Sequence, residues 1–529
     1  MKKVGNFLIL SECGDGVGLA LRLKAEGHEV KIKIFNDAFE HQGQGLVDPA
    51  SEYSFGQTVI ADVTGFGQIL DKFRESGVRT FSGSSFADKL EKDRKLAEEV
   101  FGSSGVKIPK SEHAASWSDA EKLVEKVGDG EKVVIKPEGS LSGVVPSYVA
   151  HDAEDALSFL KQFEKEHSSG DIDITIQEFV EGVAISTEGW FNGKEWIEGM
   201  FNHTLERKQF LNGDHGPSGG CTGNVVWACS ANDPLVKQLL LKLTDTLRKH
   251  LYVGPIDVNA VVNKEGVYAL EFTPRFGYDA FPSLLYGLCD FDFGGFVSDL
   301  ASGDDSSETL SLGFVGGVRL SLPPWPSEQF KHEGGVRIQG FTEADKEWFY
   351  PFGVMLEDGE IQSSHGVGIV GTVNGRGDTI GEAFARAYEI VSRLRAPDLQ
   401  FRTDLCEAML QDYRTLKALD SDDEGWIGVD LDGTLASYSN WSNDIGEPIP
   451  KMIQRVKRWL ADGKEVRILT ARGTAESFNE NMKQLVKIHD WVSDNIGEPL
   501  EVTNKKDFRM LKLYDDRVVQ IVANEGVNA

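Results

Sequence analysis

Strand and helix alternate at both ends of this chain, and no other feature limits its fold so strongly. Near the start, "NFLILSE", the apolar-faced "GLALRLKAEG", "HEVKIKIF", "TVIADV", "FGQILDKFRESG" and "VRTFSG" follow one another. That is the pattern of a small parallel, doubly wound domain. After the acidic stretch "ALDSDDEG" at 418–425 the alternation resumes for about a hundred residues, which predicts a separate α/β domain behind a linker. At 529 residues the chain is too long for one core. By position it divides into 1–88 (α/β), 89–310 (α+β), 311–417 (short glycine-rich strands, then the helix "TIGEAFARAYEIVSRL"), the linker 418–425 and the tail 426–529. Within 89–310, capping serines and a stripe of Leu90, Ala97 and Phe101 predict a helix over Ser84 to Gly105, and a second long helix is expected from Pro234 to His250.

No apolar run approaches the roughly 20 residues that cross a membrane, and "MKKVGNFLIL" reads as a first buried strand rather than a cleaved signal. Five scattered cysteines (Cys13, Cys221, Cys229, Cys289, Cys406) include no CxxC pair, which fits a reducing cytoplasm. A net charge of −29 opposes long contact with a phosphate backbone, so small-molecule chemistry is expected in preference to nucleic-acid binding. A monomer and a homo-oligomer both fit.

In "KVVIKPEGSLSGV", Lys136 ends an apolar strand and a Gly/Ser loop with Gly139 and Ser140 follows. A cation beside exposed amides is the chemistry that grips a polyphosphate. "ITIQEFVEG" is a buried strand breaking at Gly182, where backbone groups suit the edge of an adenine. "GPIDVNAVVNKEGVYALEFTPRFG" places Asp257 and Glu271 on adjacent antiparallel strands, where two carboxylates call for a cation between them. Earlier, the turn "ECGDGVG" (Glu12 to Gly18) offers amides before a helix as an anion site, or is simply a tight strand-to-helix turn.

Taken in order with Lys136, the segments "QEFVEG", "ERKQFLNGDHGPSGGCTGNVVW" (Glu206 to Trp227), "LEFTPRFG", "LEDGEIQSSHGVGIVGTVNGRGDTIGEAFARAYEIVSRL" and "FRTDL" resemble the phosphoribosylamine-glycine ligases, which are ATP-grasp enzymes, over roughly residues 1–415. The resemblance implies an N-terminal Rossmann-like pre-ATP-grasp domain, an ATP-grasp fold and a small β-rich C-terminal ligase domain. It also implies ATP and magnesium, with manganese able to replace it, and amide formation through an acyl phosphate. By matching position, Lys92 and Lys136, with Gly139 and Ser140, contact the ATP phosphates, and Gln177, Glu178, Phe179 and Val180 contact adenine. Asp257, Glu271 and Thr273 hold metal, Arg275 serves catalysis, and Asp214, Gly219 and Gly220 line the reacting carboxylate and amine. The chain departs from the family at Thr273, where asparagine is usual, and at Ala184, where an acidic residue commonly holds the ribose. It departs again at "GDGVGLA" and "IADVTGFGQ", which replace the segments that hold phosphoribosylamine.

In the tail, "WIGVDLDGTL" ends a strand in Asp430, a nucleophile, with Asp432 two residues on to give and take a proton and Gly433 and Thr434 completing the turn. "KEVRILTARG" ends a second strand in Thr470, a hydroxyl for a phosphoryl oxygen. "TNKKDFRMLKLYDDRVVQI" supplies Lys506, with Lys505 as the alternative, and Asp515 and Asp516 to join Asp430 and Asp432 around magnesium. In this order the tail resembles a capless haloacid dehalogenase-like phosphatase, a Rossmannoid domain of a compact kind often seen in bacteriophages, which would place it in a host cytoplasm. The intervals from Thr434 to Thr470 and from Thr470 to Lys506 have no room for a cap domain, so the site is expected to be open unless residues 436–447 form a lid. An open site suits a bulky phosphomonoester, a nucleic-acid end or a ligand partly covered by the neighbouring domain. The whole chain then reads as a ligase fused to a magnesium phosphatase. Two alternatives stand beside it: a ligase for a modified nucleotide or sugar amine, and a front that binds nucleotide without catalysis.

Overall fold

The computed structural model describes residues 4–51, 53, 56, 58–128, 130–138, 147–166, 172–277, 280–327, 331–420, 425–439, 442, 444–472, 474 and 477–520. The chain forms two compact units: Met1–Leu205, Ala228–Phe281 and Cys289–Leu310 make the first, and Glu206–Trp227, Pro282–Leu288 and Ser311–Ala529 the second.

The first unit opens with β1 (Asn6–Ser11), α1 (Val17–Ala25), β2 (Glu29–Ile34), β3 (Asp48–Pro49), β4 (Thr58–Ala61), α2 (Gly67–Glu75) and β5 (Arg79–Phe81). The strands form a parallel sheet in the order β3-β2-β1-β4-β5. Phe7, Leu8, Ile9 and Leu10 are all fully buried, as expected of a central parallel strand covered on both faces. The helix expected from Ser84 to Gly105 is broken in two, α3 (Ser85–Lys92) and α4 (Arg94–Ser103). Asp93 takes an extended conformation and its carboxylate accepts from Leu96 N, so it caps α4 instead of continuing α3. The stripe itself is buried: Leu90, Ala97 and Phe101 all face the core.

Next come β6 (Ser111–Ala114), α5 (Trp117–Val124), β7 (Val133–Glu138), β8 (Tyr148–Ala150), α6 (Ala153–Glu166) and β9 (Asp173–Glu178), with sheet order β6-β9-β7-β8. Val133, Ile135, Ile174 and Ile176 pack with Ala120, Val124, Ala156 and Leu160 of the two helices. Strand alternation therefore turns Lys136, Thr175 and Gln177 to the other face. An antiparallel ladder follows from β10 (Val183–Asn192), β11 (Trp196–Leu211), β12 (His215–Cys229), β13 (Val253–Asn263) and β14 (Gly266–Thr273). Within the first unit its order is β14-β13-β10-β11. The expected helix from Pro234 to His250 is α7 (Pro234–Gln238), a 3-10 turn at Leu241–Leu243 and α8 (Thr244–Lys249). Burial of Leu239, Leu240, Leu243 and Leu247 draws the chain into the tighter turn, and Thr244 Oγ1 bonds back to Leu241 O. Helices α9 (Ala280–Gly287) and α10 (Phe293–Ala301) close this stretch of the chain.

In the second unit β12 pairs with β15 (Phe314–Ser321), then come β16 (Phe349–Pro351), the hairpin β17 (Val354–Glu357) and β18 (Glu360–Ser363), and β19 (Ile369–Gly377), which lies between β15 and β16. Helix α11 (Ile380–Val391) lies so close on β19 that a Cβ on Gly375 would sit 2.3 Å from Ala387 N, which is why this strand is glycine-rich. Helix α12 (Leu405–Asp420) runs into the segment expected to be a linker, so residues 418–420 are helical, while 421–424 lie outside the described residues.

The tail is a parallel sheet in the order β22-β21-β20-β23, built from β20 (Trp426–Val429), β21 (Glu465–Leu469), β22 (Glu501–Thr503) and β23 (Met510–Tyr514). Ile427, Val429, Val466 and Ile468 pack against α13 (Pro450–Ala461) and α14 (Phe478–Ile496). The other face is polar. Arg467, almost fully buried, lies 4.4 Å from the ring centroid of Trp426 and 3.0 Å from Asp507. Only residues 504–509 join β22 to β23, too few for the usual crossover helix. Helices of the preceding region lie against the tail instead. Lys505 bonds Glu407 of α12, and Tyr388 of α11 meets Phe478 at 5.2 Å. Glu501 lies buried at the first amides of α11, beside Arg414. The tail and the 311–417 region thus belong to one compact unit.

Burial pushes the Glu501 carboxyl from 4.5 up to about 7, against the pull of Arg414 and of the Gly381 and Ile380 amides. Its folded-state pKa exceeds its unfolded value, so its contribution to stability is full below pH 4.5 and lost as pH rises through 7. Glu501→Gln is expected to flatten the fall in melting temperature between pH 5 and 8, a difference on the order of 2 kcal/mol measurable by calorimetry.

Candidate active sites

The first group of candidate residues lies on β7, β9, β13 and β14. Lys136 is buried on β7 opposite Thr175, on the face away from the helices. At the end of β9, Gln177 and Glu178 line a cleft of about 200 Å³ with Lys110, Lys126, Lys132 and Ile176. Lys132 Nζ lies 5.0 Å from the ring centroid of Phe179, and Val180 follows where the strand ends. Gly139 and Ser140 lie outside the described residues. Lys92 ends α3 with its amine beside the Gly65 turn, 3.5 Å from where a Cβ on Gly65 would lie.

On β13 and β14, Asp257 lies opposite Thr273, and Asn259 opposite Glu271. Asp257 and Thr273 are buried and Glu271 is exposed. These are all oxygen donors on one sheet face, which fits magnesium. Arg275 forms an ion pair with Glu91 at 2.9 Å and donates to Phe276 O, so its guanidinium is held by the protein. Glu188, Asn259 and Ser186 join this face without having been singled out from the sequence; the signal was the period of two in "VAISTEGW" and "PIDVNAVV".

Asp214, at positive φ, is held by Arg402 Nη1 at 2.7 Å and Arg207 Nε at 3.3 Å, which ties the hairpin to the segment carrying Arg402. Gly219 is fixed by Trp325, whose ring a Cβ would meet at 2.4 Å, while Gly220, at φ +78°, faces open space. These residues belong to the second unit. Arg402 stands in "FRTDL", where its fork also grips Asp404, and it was missed because its partner is far away in sequence.

The glycine turn at α1 is closed by the chain itself. Gly14 N donates to Ser11 Oγ at 2.7 Å and Gly16 N to Asp62 Oδ2 at 2.8 Å. Burial, and then Asp15, push the Asp62 carboxyl up to about 8. An anion expected at this turn would find a carboxyl in its place.

The tail brings its strand-end residues together. Asp430, Asp515 and Asp516 each offer an oxygen within 4.8 Å of the others. Burial, then Asp515, raise the Asp430 carboxyl to about 7. Asp430 N donates to Tyr514 O, and Asp516 N to Thr434 Oγ1. Gly433, at φ +90°, is needed because a Cβ there would lie 2.6 Å from the Asp516 carboxylate. Three converging carboxylates fit a hard divalent cation, which would remove the repulsion that raises Asp430.

Thr470 is buried, its hydroxyl accepting from Arg472 N. Arg472, nearly fully buried, clamps Asp432 through Nε at 2.6 Å and Nη2 at 2.7 Å. Asp432 is therefore ion-paired through both of its carboxylate oxygens. Arg472 also donates to the carbonyls of Ser442 and Asp444, while Trp491 Nε1 donates to Gly446 O. The described residues of the 436–447 segment are thus tied to Arg472 and to α14.

Lys505 Nζ pairs with Glu407 at 2.5 and 2.6 Å, and Lys506 beside it is exposed. For a tail with the phosphatase chemistry expected from its motifs, Lys506→Ala is expected to lower turnover by on the order of 100-fold, and Lys505→Ala by no more than about twofold, in a steady-state assay of each variant.

Comparison with known proteins fits the front half. Residues 92–280 match the family "Phosphoribosylglycinamide synthetase, ATP-grasp (A) domain". The chain is 26% identical over 352 residues to the phosphoribosylamine-glycine ligase of Streptococcus pneumoniae, covering 64% of this chain and 80% of that one. It is 24% identical over 376 residues to that of Halalkalibacterium halodurans, covering 69% and 85%. The crystal structure of the Thermotoga maritima phosphoribosylamine-glycine ligase superposes with a TM-score of 0.59 at 19% identity, covering 75% of this chain and 99% of that one. A biotin carboxylase from Campylobacter jejuni gives 0.54 at 14% identity, covering 78% and 96%. The front of the chain therefore has a mixed α/β ATP-grasp fold, with its ATP-grasp domain over residues 92–280.

Proposed function

We propose that the front of the chain is an ATP-dependent carboxylate–amine ligase and that the tail is a magnesium-dependent phosphatase. In the ligase, a carboxylate oxygen attacks the γ-phosphorus of ATP and ADP leaves. An amine nitrogen then attacks the acyl carbon, and inorganic phosphate departs with that carboxylate oxygen. Lys136 draws charge from the transferring group, and the Asp257 and Glu271 face would hold the magnesium that bridges the phosphates. The observation that carries this reading is a buried lysine and a carboxylate-lined sheet face inside the matched ATP-grasp segment.

The relatives' names suggest phosphoribosylamine and glycine as substrates, and with them a step of purine biosynthesis. Asp62 at the α1 turn favours a related amine, a modified nucleotide or sugar amine that presents no phosphate to that turn. ADP release from ATP, magnesium and glycine, compared between phosphoribosylamine and unphosphorylated sugar amines, separates these two readings. A chain that binds ATP yet turns over with no amine would defeat both.

For the tail, the convergence of Asp430, Asp515 and Asp516 supports attack on a phosphomonoester, with Asp430 as nucleophile and the cation neutralising the phosphoryl oxygens. Magnesium-dependent hydrolysis of p-nitrophenyl phosphate, abolished by EDTA, is the expected result; absence of hydrolysis with every divalent cation tried would remove this half of the reading.

A further inference from the structure

The parallel sheet that opens the first unit has the order β3-β2-β1-β4-β5, so the chain leaves β1 toward β2 and returns on the other side of β1 at β4. The carboxyl ends of β1 and β4 therefore flank a topological switch point, the place where open α/β sheets hold their ligands. Segments 12–16, 35–47 and 62–66 lead away from the carboxyl ends of β1, β2 and β4. They carry Glu12, Asp15, Asp37, Glu40 and Asp62 and contain neither lysine nor arginine, while His41 among them pairs with Glu40 at 3.5 Å.

The amides that could hold an anion there are already taken. Before α1, Gly14 N donates to Ser11 Oγ and Gly16 N to Asp62 Oδ2; before α2, Gly65 N and Gly67 N donate to the Asp88 carboxylate at 2.8 and 2.9 Å. Lys92 Nζ comes to the Gly65 turn, which Asp88 closes. A phosphate in this crevice would meet carboxylates in place of the donors it needs.

Asp62 is only 5% exposed, and while its Oδ2 accepts from Gly16 N, its Oδ1 is buried with no hydrogen-bond partner. A buried acceptor left so calls for a donor. Burial, then Asp15, raise this carboxyl to about 8, so at pH 7 it carries a proton that an incoming positive charge would displace. A hard metal ion fits poorly: it takes six or more oxygens, and among the described residues this turn does not bring three acidic, histidine or cysteine ligand atoms together. An ammonium or guanidinium group donates hydrogen bonds and is satisfied by a few carboxylate oxygens.

We infer that the crevice between the carboxyl ends of β1 and β4 binds an organic cation, an ammonium or guanidinium group held by Asp62 and Asp15. Placing that group on the amine substrate rests on the reading of the front as a ligase; the cation site itself does not. The test is calorimetric titration of the full chain at pH 7, without ATP, with 1,4-diaminobutane, agmatine and ribose 5-phosphate. Only binding that depends on Asp62 is counted, because the carboxylates of the tail also attract diamines. Asp62→Asn, which keeps an oxygen for Gly16 N, is expected to weaken binding of one or both cations by tenfold or more, and Asp15→Asn, at a partly exposed position, by about threefold. The binding heat of the unaltered chain is expected to vary with the ionisation heat of the buffer, because a proton leaves Asp62, and this dependence is expected to vanish in Asp62→Asn. Equal binding of both cations by Asp62→Asn and the unaltered chain overturns the inference, as does stoichiometric displacement of the cation by magnesium or tighter binding of ribose 5-phosphate. If Asp62→Asn does not fold, Asp15→Asn decides, and unchanged binding there overturns the inference. Asp62-dependent binding in a chain that releases ADP with no amine leaves the cation site standing and defeats the ligase reading.

Discussion

Asp430→Asn is expected to lower magnesium-dependent phosphomonoester hydrolysis by on the order of 10⁴-fold or more, because it removes the nucleophile proposed for the tail. The same change should not unfold the tail. Asp430 sits against Asp515, Asp432 and Asp516, and its carboxyl is raised to about 7. A raised carboxyl contributes fully to stability below its unfolded value near 3.8 and loses that contribution as pH rises through 7. A neutral amide is spared that loss, so the variant is expected to melt at or above the unaltered chain at pH 8 without magnesium, and the two should converge near pH 4. A variant that kept its hydrolytic activity would remove Asp430 from the chemistry.

The second large effect belongs to the front. Glu271→Gln and Lys136→Met are each expected to lower ATP-dependent ligation by on the order of 10²–10³-fold, because each removes charge stabilisation aimed at the transferring phosphoryl group. Phosphatase activity should be unchanged in both. Coupled assays of ADP release and of phosphomonoester hydrolysis on the same preparations give both rates. Parallel loss of the two activities would mean that these residues hold the fold together rather than act on ATP.

The elements that the sequence disclosed best are those in which the chemistry sits at the end of a strand. An apolar run ending in Asp430, another ending in Thr470 and a third leading to Asp515 and Asp516 converge because parallel strands of one sheet all end on the same side. Lys136, Asp257 and Glu271 follow from strand period in the same way. What stayed hidden depends on partners distant in sequence. Spacing cannot choose between Lys505 and Lys506, and it gives no sign that Lys505 pairs with Glu407 of α12. Nothing near Asp432 announces the Arg472 clamp, and nothing near the "ECGDGVG" turn announces that Asp62 fills it. Nothing near Asp214 announces that Arg402 holds its carboxylate. The acidic run at 418–425 reads as a linker, yet α12 continues through Asp420. Its helical character was masked by charge, and the packing of α11 and α12 against the tail was not visible in either segment alone.

The central claim is that the front activates a carboxylate as an acyl phosphate. It is tested most directly with an amino acid labelled with ¹⁸O in its carboxylate, together with ATP, magnesium and an accepted amine. Using the Asp430→Asn chain keeps the tail from releasing phosphate. The account predicts that one ¹⁸O atom appears in the inorganic phosphate for each ADP formed, with the amide retaining the other. ADP formation with unlabelled phosphate would mean that water, not the carboxylate, receives the γ-phosphoryl group, and would contradict the account.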